Sequence, residues 1–377
     1  MKKEKTAKVS DVIGLINRLA PPELAEQWDN VGLQVGDPGA LVERILVCLD
    51  VSPQVLEAAA RLQAQLVVAH HPLIFHSLKR LSPADATGAL VYRAVQQNIA
   101  VVAAHTNLDR ARDGLNDWLA ARLGLSRIRP LEKPVQDALR KLVVYVPVGH
   151  EQQLMDALFA AGAGHIGAYD RCSFRTPGTG TFRGGADSTP FIGTAGVAEE
   201  AQELRLETIF PVALQERIVQ RMVKAHPYEE VAYDLIPLAN PRTDVGLGRI
   251  GELAQSLSLS DFARQAKQAL DLPFLRQIGT PTQMISRVAV CGGSGMSTFS
   301  DAARLGADCL VTGDVRYHEA QQALEAGIAV LDAGHFGTEK IMVSELATRL
   351  RKLAADRSYD LDIITSTEEK DPFTLVF

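Results

Sequence analysis

The chain has 377 residues, 46% hydrophobic and 22% charged, which is enough for two or three domains with their own cores. A formal net charge of −6 argues against a nucleic-acid partner, because phosphate binding needs clustered Lys and Arg. No apolar run approaches the roughly 18 residues of a membrane helix, and the N-terminal MKKEKTAKVSDV lacks an apolar leader core, so neither a membrane span nor a signal peptide is expected.

In chain order, Val9 to Leu19 has helical spacing and ends before Pro21 and Pro22. Three short Val/Ile-rich runs follow, at 44–52, 66–72 and 99–106, separated by helix-like stretches at 53–63 and 88–97. Each run is too short for a lone helix, so the pattern reads as α/β units with buried strands. The last third repeats the theme at 287–296, 307–315 and 327–336.

The middle differs. A strand at 141–150 and a helix at 150–161 lead into a Gly/Thr/Pro-rich stretch at 162–196, which reads as hairpins and loops around short β segments. A strand at 204–213, a helix at 214–225 and a strand at 230–239 close the segment, an order that predicts a ferredoxin-like α+β unit. The stretches 130–137 and 240–246 hold Pro, Gly and charge and serve as boundaries. The expected fold is therefore α/β. A split outer domain, 1–132 and 241–377, has central sheets flanked by helices, and an inserted ferredoxin-like domain spans 133–240. The four cysteines, Cys48, Cys172, Cys291 and Cys309, form no CxxC pair and read as reduced thiols of a cytoplasmic protein.

Residues able to bind metal fall at the ends of the outer strands. His70 and His71 follow LVVA, and Asp109 follows the next run, with His105 four residues before it. If Gly334 opens a helix, His335 and Glu339 share one face. In open α/β sheets ligands bind beyond the carboxyl ends of the strands, where these groups would converge. Each also has a plainer reading. A histidine can be satisfied in the core, His335–Glu339 can be a surface i,i+4 contact, and Asp109 can cap the helix expected at 114–122. Asp314 and His318, one helical turn apart, either line the same cavity or form a helix start and its solvated face. The glycines of CGGSG (291–295) either receive an anion or make a tight strand–helix turn. HPYEE (226–230) reads as a ligand site or as a turn into a strand.

The strings WDNVGLQVGD (28–37), VVAHHPLIF (67–75), HTNLDRARDGLND (105–117), VAVCGGSG (288–295), TGDVRYHEA (312–320) and DAGHFGTE (332–339) resemble the dinuclear metal-centre family related to NGG-interacting factor, whose members are often labelled GTP cyclohydrolase I type 2 homologues. In the middle, GAGHIGAYDRCSF (162–174), GTGTFRG (178–184), ELRLE (203–207) and AHPYEEVAYDLIPL (225–238) resemble the inserted domain of the longer members. The resemblance implies two divalent ions per chain on His70, His71, Asp109, His335 and Glu339, with His105 beside them. It also implies a toroidal homohexamer whose sites face an inner cavity. A His and carboxylate set without Cys suits Zn, Fe, Mn, Co or Ni. Two such ions would support metal-dependent hydrolysis of a nucleotide or related small molecule, with His105 or His318 moving protons. The rival expectation is a non-catalytic metal-handling or regulatory hexamer.

Overall fold

The computed structural model describes residues 5–133, 138–167 and 169–374. Part of the boundary expected at 130–137 lies outside the described residues. The chain forms two compact units, Met1–Lys133 with Asp244–Phe377, and Pro134–Thr243.

The first unit contains two larger sheets. In one, strands Asp362–Thr365, Arg44–Cys48, Leu66–Ala69, Ala100–Ala103 and Gly32–Val35 lie in that order, parallel except for the last pair. In the other the order is Arg276–Ile278, Ala329–Asp332, Cys309–Thr312, Met284–Val290, Arg249–Ser258 and Ser126–Pro130. Its three middle parallel strands are Ala329–Asp332, Cys309–Thr312 and Met284–Val290. Every residue of LVVA, AVVA, CLVT and AVLD is buried, the mark of strands covered on both faces. Helices supply the cover. Val9–Leu19 buries Val9, Val12, Leu15 and Ile16, one stripe of a 3.6-residue period. The helix Pro53–Arg61 starts where Ser52 accepts a hydrogen bond from the Val55 N–H and Pro53 takes the first turn.

Arg249 ties the Asp109 segment to the second sheet. It is 1% exposed, grips Asp117 through Nε and Nη2 at 2.9 Å each, and donates to the carbonyls of Ala111 and Gly246. A buried guanidinium satisfied this fully holds geometry that a lone charge would disrupt.

The second unit is a four-stranded antiparallel sheet in the order Tyr233–Leu238, Leu139–Pro147, Ala198–Pro211, Phe174–Arg183. Helices Glu151–Ala161 and Gln215–Ala225 complete a βαββαβ order, the ferredoxin-like arrangement. Leu142, Val144 and Val146 alternate inward against Leu154, Leu158, Ile218 and Met222. Where hairpins and loops around short β segments are expected, Phe174–Arg183 is a ten-residue strand paired antiparallel with Ala198–Pro211. It is an edge strand and pairs on one side only, so Pro177 costs no ladder bond to a second neighbour. Gly180 has a separate reason: a Cβ there would lie 2.2 Å from the buried Glu203 carboxylate.

Among the described residues no helix is long and apolar enough to cross a membrane.

Candidate metal centre

His70 and His71 follow Leu66–Ala69, Asp109 lies in the short helix Thr106–Arg110, and His335 and Glu339 open and close the helix His335–Glu339 behind Gly334. All stand beyond the carboxyl ends of central parallel strands, and the structure draws the five together. His70 Nε2 lies 3.5 Å from Asp109 Oδ1 and 3.8 Å from Glu339 Oε1. His71 Nε2 and His335 Nε2 each lie 3.0 Å from Glu339 Oε2, and 3.3 Å from one another. The His105 ring stands 5.2 Å from that of His70 and 5.6 Å from that of His71. Asp109 does not cap Leu115–Arg122; Gly114 occupies that position, and Asp109 is free to face His70.

A common device orients the four imidazoles. Nδ1 of His70 donates to the Ala104 carbonyl at 2.8 Å, that of His71 meets Asp50 at 2.8 Å, that of His105 meets Asp29 at 2.9 Å and that of His335 meets Asp314 at 2.7 Å. An oxygen on Nδ1 places the proton there and leaves Nε2 with its lone pair, as in histidines that ligate metals. The holders are themselves held. Asp29 accepts from the Thr106 N–H and hydroxyl, and Glu369 accepts from the N–H groups of Leu49 and Asp50 at 2.7 and 2.6 Å. Asp314 adopts a left-handed backbone with φ +55°, a conformation that Asp tolerates better than most residues. Buried Asp332 fixes that corner by accepting from Val315 and Gly334 N–H groups and from Arg276.

The donor atoms fit a metal ion. Nitrogens bound to one ion at the usual length of about 2.05 Å sit about 3.3 Å apart in a tetrahedron, and about 2.9 Å apart in an octahedron. The His71–His335 and His–Glu339 separations fall at these edge lengths. On the other side, His70 Nε2 and Asp109 Oδ1 are buried polar atoms with no hydrogen-bond partner. Buried atoms left so are expensive unless something coordinates them. His70, His71 and His105, and likewise His71, His335 and Glu339, bring ligand atoms within 4.8 Å of one another.

Without a cation between them these groups shift their protons. Burial pushes the Asp109 carboxyl up to about 7, with the Glu339 charge adding to the rise. Burial also opposes ionisation of Glu339, yet His335 and His71, each 3.0 Å away, and the nearby His70 imidazole outweigh it and hold that carboxyl well below its usual range. Burial disfavours a charged His71, but Asp50 and Glu339 lift it to about 10. Glu339 and Asp314 lift His335 to about 9. Asp29 is lowered to about 2, its burial outweighed by His105 and Thr106.

Three of the open alternatives can be read in the structure. His318 is exposed on Tyr317–Ala326, its Nδ1 3.1 Å from Gln321 Oε1, and takes no part in the cluster's contacts. Its helix position turns it to solvent, while Asp314 turns inward to His335. The glycine loop 291–295 is a tight turn and not an anion cradle. The N–H groups of Gly292, Gly293 and Gly295 already donate to Asn116, Thr338 and Thr312, and a Cβ at Gly293 would sit 2.3 Å from Glu339 Oε1. In HPYEE both His226 nitrogens are engaged, by the Tyr145 carbonyl and the Tyr228 N–H, as a turn requires.

Sheets whose strand ends converge on imidazole nitrogens and carboxylate oxygens define an α/β protein with His/Glu clusters that could hold metal. The chain belongs to the Duf34/NIF3 (NGG1p interacting factor 3) family, which matches residues 7–372. A Halalkalibacterium halodurans relative named GTP cyclohydrolase 1 type 2 homolog is 43% identical over 99% of this chain and 100% of its own length. The Bacillus subtilis protein of the same name is 40% identical over the same shares. The crystal structure of a Bacillus cereus protein related to NIF3 superposes with a TM-score of 0.87 at 39% identity, covering 99% of this chain and 100% of that one.

Proposed function

We propose that this protein is a dinuclear metal-dependent hydrolase acting on a nucleotide or a related small molecule. The observation that carries the reading is the common aim of His70, His71 and His335, each pinned at Nδ1 by an oxygen and presenting Nε2 to the Asp109–Glu339 pair. In this reading His70, Asp109 and Glu339 would hold one ion, and His71, His335 and Glu339 would hold the other. The set contains no thiolate, which suits Zn, Fe, Mn, Co or Ni. When bound, such ions supply Lewis acidity and activate water toward a C=N, carbonyl or phosphoryl group. The chain adds His105, fixed by Asp29 and not needed as a donor in either set, to take and return a proton at the reacting atom. The relatives' name supports a nucleotide substrate.

We read the assembly as a toroidal homohexamer and the four free thiols as fitting the cytoplasm. Metal analysis of wild type against His71→Ala and Glu339→Ala tests the centre, and turnover of GTP and a nucleotide and phosphoester panel tests the activity. About two ions per wild-type chain, fewer in the variants, and hydrolysis that needs them are expected. Full metal occupancy without turnover of any panel member would overturn the hydrolase. It would favour the second reading, a non-catalytic metal-handling or regulatory hexamer, for which the ferredoxin-like unit speaks only by analogy of fold.

A further inference from the structure

The string WDNVGLQ contains more than the proposed reaction uses. Asp29 serves His105, but Trp28, Asn30 and Gln34 have no part in it. Asn30 Nδ2 donates to the Ile74 carbonyl at 2.6 Å, while Gln34 Oε1 accepts from the Ile74 N–H at 3.2 Å. Gln34 Nε2 closes the arrangement on the Asn30 carbonyl at 2.8 Å. This clamp fixes the residue after Ile74, so that the Phe75 ring sits 5.7 Å from the Trp28 ring. Both rings meet His105 edge-on, at 6.1 and 6.5 Å.

Two large aromatic rings thus stand together beside the histidine that binds no ion in the proposed centre, yet Trp28 is 59% and Phe75 44% exposed. Leaving such area in water is unfavourable, and a clamp that keeps it there points to an occupant. Phe75 also lines a cavity of about 590 Å³ with His76, Lys79, Arg80 and Asp85, where Arg80 lies 3.5 Å from the Asp85 carboxylate and Lys79 and His76 add to the basic side.

We propose that Trp28 and Phe75 are a stacking wall for a planar, delocalised ring of the substrate, with an anionic substituent of that ring directed to Lys79 and Arg80. Stacking needs only a π face, and it sets a ring's edge beside His105. The proposal rests on the hydrolase reading for what then happens to the ring, but not for its binding.

The test is equilibrium binding of guanosine, GTP and inorganic triphosphate, with tryptophan emission, metal content and assembly size measured on the same samples. The chain has two tryptophans, and Trp118 is buried against Arg349, so a change in emission reports Trp28. Guanosine and GTP should quench wild-type emission, and Trp28→Phe should lose the quench while binding within about threefold of wild type. Trp28→Ala and Phe75→Ala should each weaken guanosine and GTP about tenfold, with triphosphate binding and metal content unchanged. Replacing Lys79 and Arg80 by Ala should weaken GTP and triphosphate and spare guanosine. Unchanged ring affinity in Trp28→Ala would overturn the wall. So would smaller assemblies with unchanged ring affinity, which would make the rings a subunit contact. Trp28-dependent guanosine binding by wild-type protein that holds no metal would support the wall and sink the hydrolase. Full metal content with no ring binding would do the reverse.

Discussion

The two sides of the metal centre solve one problem in different surroundings. On the His70 side the donors are enclosed. The His70 side chain is fully buried, Asp109 is 14% exposed, and the facing atoms have no partner. On the His335 side the histidines are partly exposed and satisfied by hydrogen bonds to Glu339 and to the outer aspartates. Protons can therefore stand in for a cation on the open side, at His71 and His335, whereas on the closed side the substitute is a protonated, buried Asp109. Glu339 faces both sides, one oxygen to each, and the two should load metal as different sites sharing one carboxylate.

The largest effect should come from removing that shared group. Glu339→Ala should reduce bound metal from about two ions per chain to well under one, read by elemental analysis after gel filtration. Retention of a full ion would mean that Glu339 does not bridge. Next, His70→Ala and His335→Ala should each cost about one ion, and different ones, so the double variant should hold about none. If either single variant loses both ions, the sides are not separable. Smaller still are the outer carboxylates. Asp50→Asn and Asp314→Asn should weaken the open-side ion about 10–100-fold and leave the closed side nearly unchanged, as competition with a chelator would show.

The smallest effect is graded with pH, and it separates the sides most cleanly. A raised pKa means a proton that metal must displace, so apparent affinity climbs with pH until the metal-free group is ionised or neutral without help. On the closed side the climb should flatten above about pH 7, where Asp109 loses its proton. On the open side it should continue to about pH 9–10, through His335 and His71. Titration calorimetry in buffers of different ionisation enthalpy counts the released protons at each step. Two steps with the same pH dependence would erase the distinction.

Much of this arrangement could be read from the chain before folding. The helix Val9–Leu19 and the buried strands are legible because their apolar spacing is local. His70–His71 and His335–Glu339 are legible because each pair lies at the end of such a run. What could not be read is whatever depends on distant partners. Asp50 sits 21 residues from His71 and Asp29 sits 76 from His105, and nothing in their immediate neighbours says which imidazole each will hold. Glu369 acts from 319 residues away on the Asp50 N–H. The glycines at 291–295 fit an anion turn or a tight strand–helix turn by composition; the acceptors Asn116, Thr338 and Thr312 and the closeness of Glu339 decide. The full length of Phe174–Arg183 is hard to read because an exposed edge strand need not alternate apolar with polar residues. Which way His318 faces is not legible, because sequence spacing places residues on a helix without saying which way that helix faces.

Glu339 closes the centre from the far end of the chain, about 230 residues after Asp109. At ordinary rates of translation roughly 10–50 s separate the appearance of the first donors from the last. The ribosome therefore exposes His70, His71 and Asp109 long before the carboxylate that unites them. A nascent chain paused anywhere in that interval can offer an ion only half a cage. In the proposed centre, metal loading would thus be a late event in the life of the molecule, and a captured pair of ions would certify that synthesis had passed Glu339.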